Sequence, residues 1–276
     1  MAMQAHGFPA PLVRMALAAG GARAGAPMRV LGIAGLQGSG KSTLAAQVVA
    51  AAQAAGVPAA TLSLDDFYLT AAQRRALAAR VHPLLAVRGP PGTHDVPLAL
   101  ATIDALRAGR TPALPRFDKL GDDRLPRARW LRPARPLELL VLEGWCLAVP
   151  AQDEAGLREP VNALEREEDA DGRWRRWCNA ALARDYPPLW ARIDALWFLQ
   201  PPGFEAVYAW RWEQEQALLA AEPGRTGMDR AALARFLQHY ERVARHALRT
   251  LPALADATVP LDAARRPGPP VARGAR

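Results

Sequence analysis

Gly35-Leu-Gln-Gly-Ser-Gly-Lys41-Ser42-Thr43, preceded by the apolar run Arg29-Val-Leu-Gly-Ile-Ala34, reads as a glycine-rich loop between a buried strand and the start of a helix. Such a loop turns successive backbone N–H groups, with the positive end of the helix dipole, toward a polyphosphate. Gly35 and Gly40 admit backbone conformations and close approaches that a Cβ blocks. Lys41 is spaced to reach the β- and γ-phosphates, and the Ser42 hydroxyl to ligate Mg²⁺. Gly38, Ser39 and Thr43 complete the expected ring of contacts to a nucleoside triphosphate.

Composition singles out a second residue. The 276 residues include two lysines, Lys41 and Lys119, against 33 arginines, and three serines, Ser39, Ser42 and Ser63. Where arginine is used almost everywhere, a retained lysine points to a site wanting a compact ammonium rather than a planar fork. Lys119 is therefore a candidate before any motif is invoked. The net charge of +8 is spread along the chain, with no Lys/Arg block and no recognisable nucleic-acid module. A small acidic substrate accounts for that charge as well as a polymer does, and no nucleic-acid or membrane partner is expected; the oligomeric state is left open. Cys146 and Cys178 are too few and too far apart for a disulfide framework or a zinc site, which fits a reduced, cytoplasmic protein. No stretch approaches the length of a membrane span. Residues 1–27 lack the apolar region of a signal peptide and are expected to form a loosely ordered extension or a short helix.

Further along, residues 41–55 have helical composition and 58–64 read as a second buried strand. Helices are predicted over 71–81 and 97–108, separated by a Pro/Gly-rich loop long enough to be suspected of function. A third strand is predicted over 137–142, a helix over 172–184, a fourth strand over 193–199, helices over 204–221 and 228–250, and a short last strand over 257–261. Strands alternating with helices define an α/β fold: a P-loop NTPase-type parallel sheet with helices on both faces, plus a helical lid region. One catalytic domain is expected over 28–262, with its lid and helical part roughly at 160–250 and a disordered tail from 263.

Ligands in such folds sit outside the carboxyl ends of the strands, and the remaining candidates cluster there in the sequence. Ser63-Leu-Asp65-Asp66-Phe67-Tyr68 closes the second strand. Phosphoryl transfer to an alcohol needs a carboxylate to accept the hydroxyl proton. Asp65 is the expected base and Asp66 the alternative, because neighbours on an extended segment point oppositely; the pair could instead cap a helix. Glu143, at the end of the third strand, is placed to hold Mg²⁺ with Ser42. Arg88, Arg116 and Lys119 are candidates to clamp a substrate carboxylate, with His94 and Asp95 on a substrate hydroxyl and Asp66 and Tyr68 beside the acceptor. Arg211 and Arg225 are candidates to close from the lid onto the transferring group.

These segments resemble the phosphoribulokinase and uridine kinase group, and within it the D-glycerate 3-kinase family, from Val30 to about Leu261. The discriminating pieces are Arg88-Gly-Pro-Pro-Gly-Thr-His-Asp95 and Glu143-Gly-Trp145; Pro115-Arg-Phe-Asp-Lys119 and Tyr208-Ala-Trp-Arg-Trp-Glu-Gln-Glu215 also match. The resemblance implies ATP-dependent, Mg²⁺-assisted phosphorylation of D-glycerate to 3-phosphoglycerate, with Asp65 at the group's base position. Uridine kinases set aromatic and acidic residues against their nucleoside where this chain has Arg116-Phe117-Asp118-Lys119, and the two cations favour an anionic acceptor. Other acceptors (a nucleoside, pantothenate, another hydroxy acid), a regulatory P-loop ATPase and an Arg-rich RNA-binding protein that uses ATP are the competing readings.

Overall fold

The computed structural model describes residues 7–23, 25–221 and 227–274. Its strands are β1 (Arg29–Gly35), β2 (Ala59–Ser63), β3 (Phe117–Asp118), β4 (Asp123–Arg124), β5 (Leu139–Gly144), β6 (Ala195–Gln200), β7 (Ala257–Pro260) and β8 (Val271–Ala272). Six of them form one sheet in the order β2-β5-β1-β6-β7-β8, parallel except for β8, and β3 and β4 form a separate hairpin. β1 and β5 both lie inside the sheet, between neighbours on each side, and are buried on both faces almost throughout. That is why their sequences are continuous apolar runs rather than alternating ones.

Helices α1 (Ala10–Gly20), α2 (Lys41–Ala54), α3 (Ala71–Arg80), α4 (Val96–Arg107), α5 (Ala163–Glu168), α6 (Arg173–Arg184), α7 (Pro187–Trp190), α8 (Glu205–Ala221) and α9 (Arg230–Leu254) surround the sheet. The strand period of two divides the core. Leu31, Ile33, Leu139 and Val141 face α1 and α2, whereas Val30, Leu140 and Leu142 pack with Ile103 of α4, Leu182 of α6 and Leu237 and Ala244 of α9. Among the described residues no helix is long and apolar enough to cross a membrane.

Three features refine the expected organisation. Within residues 1–27, α1 is the short helix of the two alternatives and is a packed layer: Phe8, Leu12, Val13 and Ala16 are buried against Leu31, Ile33 and Leu44, so this helix belongs to the core. Beyond residue 263 the chain returns to the sheet, where β8 pairs with β7 and the Trp210 indole donates to the Ala263 carbonyl at 2.8 Å. This orders a tail expected to be disordered. The β3–β4 hairpin was not legible at all, because strands of two residues carry no periodicity.

Candidate active site

β1 ends at Gly35, and the next five residues turn into α2 through two glycines in left-handed geometry, Gly38 at φ +80° and Gly40 at φ +87°. At Gly38 a Cβ would also stand 2.7 Å from the Cβ of Trp210 on α8, so the loop can pass under that helix only without a side chain. Gly40 caps α2 with no side-chain acceptor, which leaves the first-turn amides of Lys41, Ser42 and Thr43 without intrahelical partners. The Ser39 hydroxyl is buried and unpartnered among the described residues. Open amides, a buried hydroxyl and a ring that excludes Cβ atoms fit a polyphosphate. Lys41 is buried and donates to the Leu36 carbonyl at 3.0 Å; burial lowers its pKa, against the pull of the Glu143 and Asp65 carboxylates. At the end of β5, Glu143 accepts from the Ser42 hydroxyl at 2.9 Å. A hydroxyl paired with a carboxylate is the oxygen donor set with which Mg²⁺-phosphate sites hold their metal.

The end of β2 supplies the opposite wall. Ser63 caps a single 3₁₀ turn, Leu64–Phe67, whose tight geometry separates the two adjacent carboxylates. Asp65 faces the cleft: its Oδ1 accepts from the Tyr68 hydroxyl and its Oδ2 from the Lys119 ammonium, both at 2.7 Å. Burial alone would raise its pKa, but the Lys119 charge and these two hydrogen bonds bring it down to about 2. The same contact raises the pKa of Lys119. Asp66 turns the other way, accepting from Arg116 at 2.6 Å and from the amides of Ser63 and Phe117 at 3.2 and 3.3 Å. Burial raises its pKa, with Arg116 opposing.

Lys119 reaches Asp65 from the tip of the β3–β4 hairpin. On the β4 flank of the hairpin, Asp122 accepts from the fully buried Arg74 at 2.6 Å and pairs with Arg88. Arg88 is held further by Tyr240 of α9, whose hydroxyl donates to the Arg88 carbonyl at 2.8 Å. Arg211 of α8 also lines the cleft, with its guanidinium on Gln214 at 2.6 Å. Trp145, Phe236 and Tyr240 form an aromatic wall, Tyr240 lying 5.0 Å from each of the other two ring centres. The cleft has a volume of about 230 Å³.

Of the candidates read from the sequence, the fold brings Gly38, Gly40, Lys41, Ser42, Thr43, Asp65, Tyr68, Arg88, Lys119, Glu143 and Arg211 to this one cleft. Gly35 and Ser39 lie beneath the loop, where a Cβ at Gly35 would meet the Ser39 hydroxyl at 2.7 Å. Four others take supporting positions outside the cleft lining. Asp66 and Arg116 neutralise each other behind the 3₁₀ turn. His94 is buried; its Nδ1 bonds the Tyr186 hydroxyl at 2.6 Å, its ring packs on Tyr68, and burial pushes its pKa down to about 4. Asp95 caps α4 and binds Arg124. Arg225 lies outside the described residues. Trp145, Gln214, Phe236 and Tyr240 were missed as site residues. The four-residue spacing of Phe236 and Tyr240 along α9 was a usable signal, but it reads equally as a core face.

A parallel sheet whose central strand opens into this loop, with Asp65 and Glu143 at neighbouring strand ends, is that of a P-loop kinase, a phosphotransferase. No protein-family model matches the chain. The chain is 34% identical over 221 residues to mug58, an uncharacterized kinase of Schizosaccharomyces pombe, covering 76% of this chain and 78% of that one. It is 28% identical over 228 residues to the chloroplastic D-glycerate 3-kinase of Arabidopsis thaliana, covering 78% of this chain but 46% of that longer one. The solved D-glycerate 3-kinase of Cryptococcus neoformans shares the fold, with a TM-score of 0.72 at 24% identity over 95% of this chain and 97% of that one. The chain belongs to the D-glycerate 3-kinase family of P-loop kinases.

Proposed function

We propose that the protein is an ATP-dependent kinase that phosphorylates a hydroxyl of D-glycerate, giving 3-phosphoglycerate and ADP. The observation that carries this reading is the Asp65 carboxylate in the same cleft as Lys41 and Ser42, flanked by the cations of Lys119 and Arg88. The loop amides and Lys41 would hold the triphosphate, and Ser42 and Glu143 would hold Mg²⁺, which when bound screens the phosphate charge. Asp65 takes the acceptor's hydroxyl proton while that oxygen bonds to the γ-phosphorus; the phosphorus–oxygen bond to ADP breaks, and its electron pair leaves with ADP. Arg88 and Lys119 face the acceptor carboxylate, a role in which a guanidinium adds geometry and an ammonium adds point charge. Trp145, Phe236 and Tyr240 keep water from the reacting oxygen. Two buried free thiols suit a reducing, cytoplasmic setting.

The test is ADP release with Mg-ATP and D-glycerate against L-glycerate, lactate, glycerol, pantothenate and uridine. We expect kcat/KM for D-glycerate to exceed every other by about tenfold or more. A better acceptor in that panel would replace the substrate, and no acceptor-dependent release at all would overturn the kinase assignment of this cleft.

A further inference from the structure

Both oxygens of Asp65 are already engaged: Oδ1 by the Tyr68 hydroxyl and Oδ2 by the Lys119 ammonium. A base held by a full positive charge is a poor proton acceptor, so the arrangement needs something that removes Lys119 at the moment of reaction. We propose that Lys119 is a lock on Asp65, closed in the acceptor-free enzyme and opened when an anionic acceptor draws the ammonium onto its own carboxylate. The inference rests on the acceptor being an acid, as in the reading above.

The hairpin is built for such an exchange. Its flanks are tied down: Asp122 to Arg74 and Arg88, the Asp123 carboxylate to the Ala71 amide at 3.1 Å, and Arg124 to the Tyr68 carbonyl at 2.7 Å. Its tip is free, with the Lys119 side chain 62% exposed and Leu120 61% exposed. The ammonium can therefore swing on its four-carbon stem without moving either strand. Arg88 lines the same cleft and its charge opposes that of Lys119. A carboxylate arriving beside Lys119 and Arg88 offers the ammonium a second anionic partner in place of Asp65, which a neutral alcohol cannot do. The residue type agrees. In a chain with 33 arginines, an arginine here would hold Asp65 through a two-pronged, slowly released contact, whereas a lysine makes one strong and easily redirected bond. With the lock closed, Asp65 is too weak a base to deprotonate water, consistent with its depressed pKa. ATP is then spared hydrolysis, in which a water proton would pass to Asp65, the water oxygen to the γ-phosphorus, and ADP would leave with the bonding pair.

Lys119→Met removes the charge and keeps the stem; Lys119→Arg keeps the charge. For each we would measure acceptor-free ATP hydrolysis, kcat/KM for D-glycerate and for glycerol, and the calorimetric Kd of D-glycerate without nucleotide. Lys119→Met should raise the ratio of hydrolysis to transfer by about tenfold or more, lower the D-glycerate to glycerol preference by about tenfold, and weaken D-glycerate binding by a similar factor. Lys119→Arg should recover the low hydrolysis ratio and the acid preference but lower kcat for D-glycerate, because its two-pronged contact releases Asp65 more slowly. Equal losses with both acceptors, with hydrolysis unchanged, would overturn the lock. If the wild type uses a different acid, the substrate reading fails but the same comparison is made with that acid and its neutral analogue. A wild type that prefers neutral acceptors overturns both.

Discussion

Asp65 and Asp66 stand side by side in the chain and do different work, because one 3₁₀ turn sends them to opposite sides of the β2 end. Asp65→Asn keeps the shape and removes the proton acceptor. Phosphoryl transfer should fall by about 10²–10⁴-fold while Mg-ATP affinity changes little; near-normal turnover would remove Asp65 from the reaction. Asp66→Ala should instead cost about 1–3 kcal/mol of stability, because Arg116 and two amides lose their partner. His94 gives the residues around it a pH signature. Its folded pKa of about 4 lies below the ordinary 6.5, so between those values the unfolded chain binds the extra proton. Its contribution to stability is therefore complete above pH 6.5 and is lost as pH falls toward 4, on the order of 3 kcal/mol. Burial shifts His239 and His246 in the same direction, so the measurement is the difference in unfolding between the wild type and His94→Gln over that window. Identical pH slopes would show that His94 is protonated without penalty.

The phosphate loop and the β3–β4 hairpin meet the cleft from opposite sides, and each depends on one packed contact. At Gly38 both the positive φ and the 2.7 Å approach to Trp210 forbid a side chain. Gly38→Ala should push the loop from α8, costing about 1–3 kcal/mol and abolishing most of the rise in Tm produced by Mg-ATP. An undiminished rise would mean that the loop binds without that geometry. On the hairpin, Asp122 is the shared partner of Arg74 and Arg88, in a left-handed backbone position at φ +50°. Asp122→Ala should free Arg88 and raise the acceptor KM about three- to tenfold with a smaller effect on kcat. Of these two elements, only the phosphate loop could be read in advance. Its glycine positions report local backbone demands, whereas the hairpin consists of two-residue strands held by Arg74 and Arg88 on Asp122 and by the Tyr68 carbonyl on Arg124, partners from elsewhere in the chain.

The sheet has two cores, and α1 closes the one beneath the phosphate loop. Phe8 illustrates the link: its ring stands 3.1 Å from where a Cβ of Gly40 would be, so the N-terminal segment packs directly under the turn into α2. Leu12→Ala should lower stability by about 2–4 kcal/mol, read as a lower urea midpoint, while leaving the acceptor KM unchanged. A shift of less than about 0.5 kcal/mol would return α1 to the status of an appendage. The alanine-rich composition of residues 10–20 hid this role, because alanine satisfies a helix whether or not a sheet lies against it.

Primary structure dictated the central strands, the loop between β1 and α2, and the identities of Lys41, Ser42, Asp65 and Glu143 as cleft residues. Continuous apolar runs and glycines with positive φ act over a few residues, so they are legible in a linear chain. Packing decided which polar groups meet. Lys119 lies 54 residues from the Asp65 it holds and Arg88 lies 34 from Asp122, and Arg116, His94 and Asp95 found partners away from the cleft. A long polar side chain has several partners of nearly equal worth, and only the folded backbone brings one of them within reach.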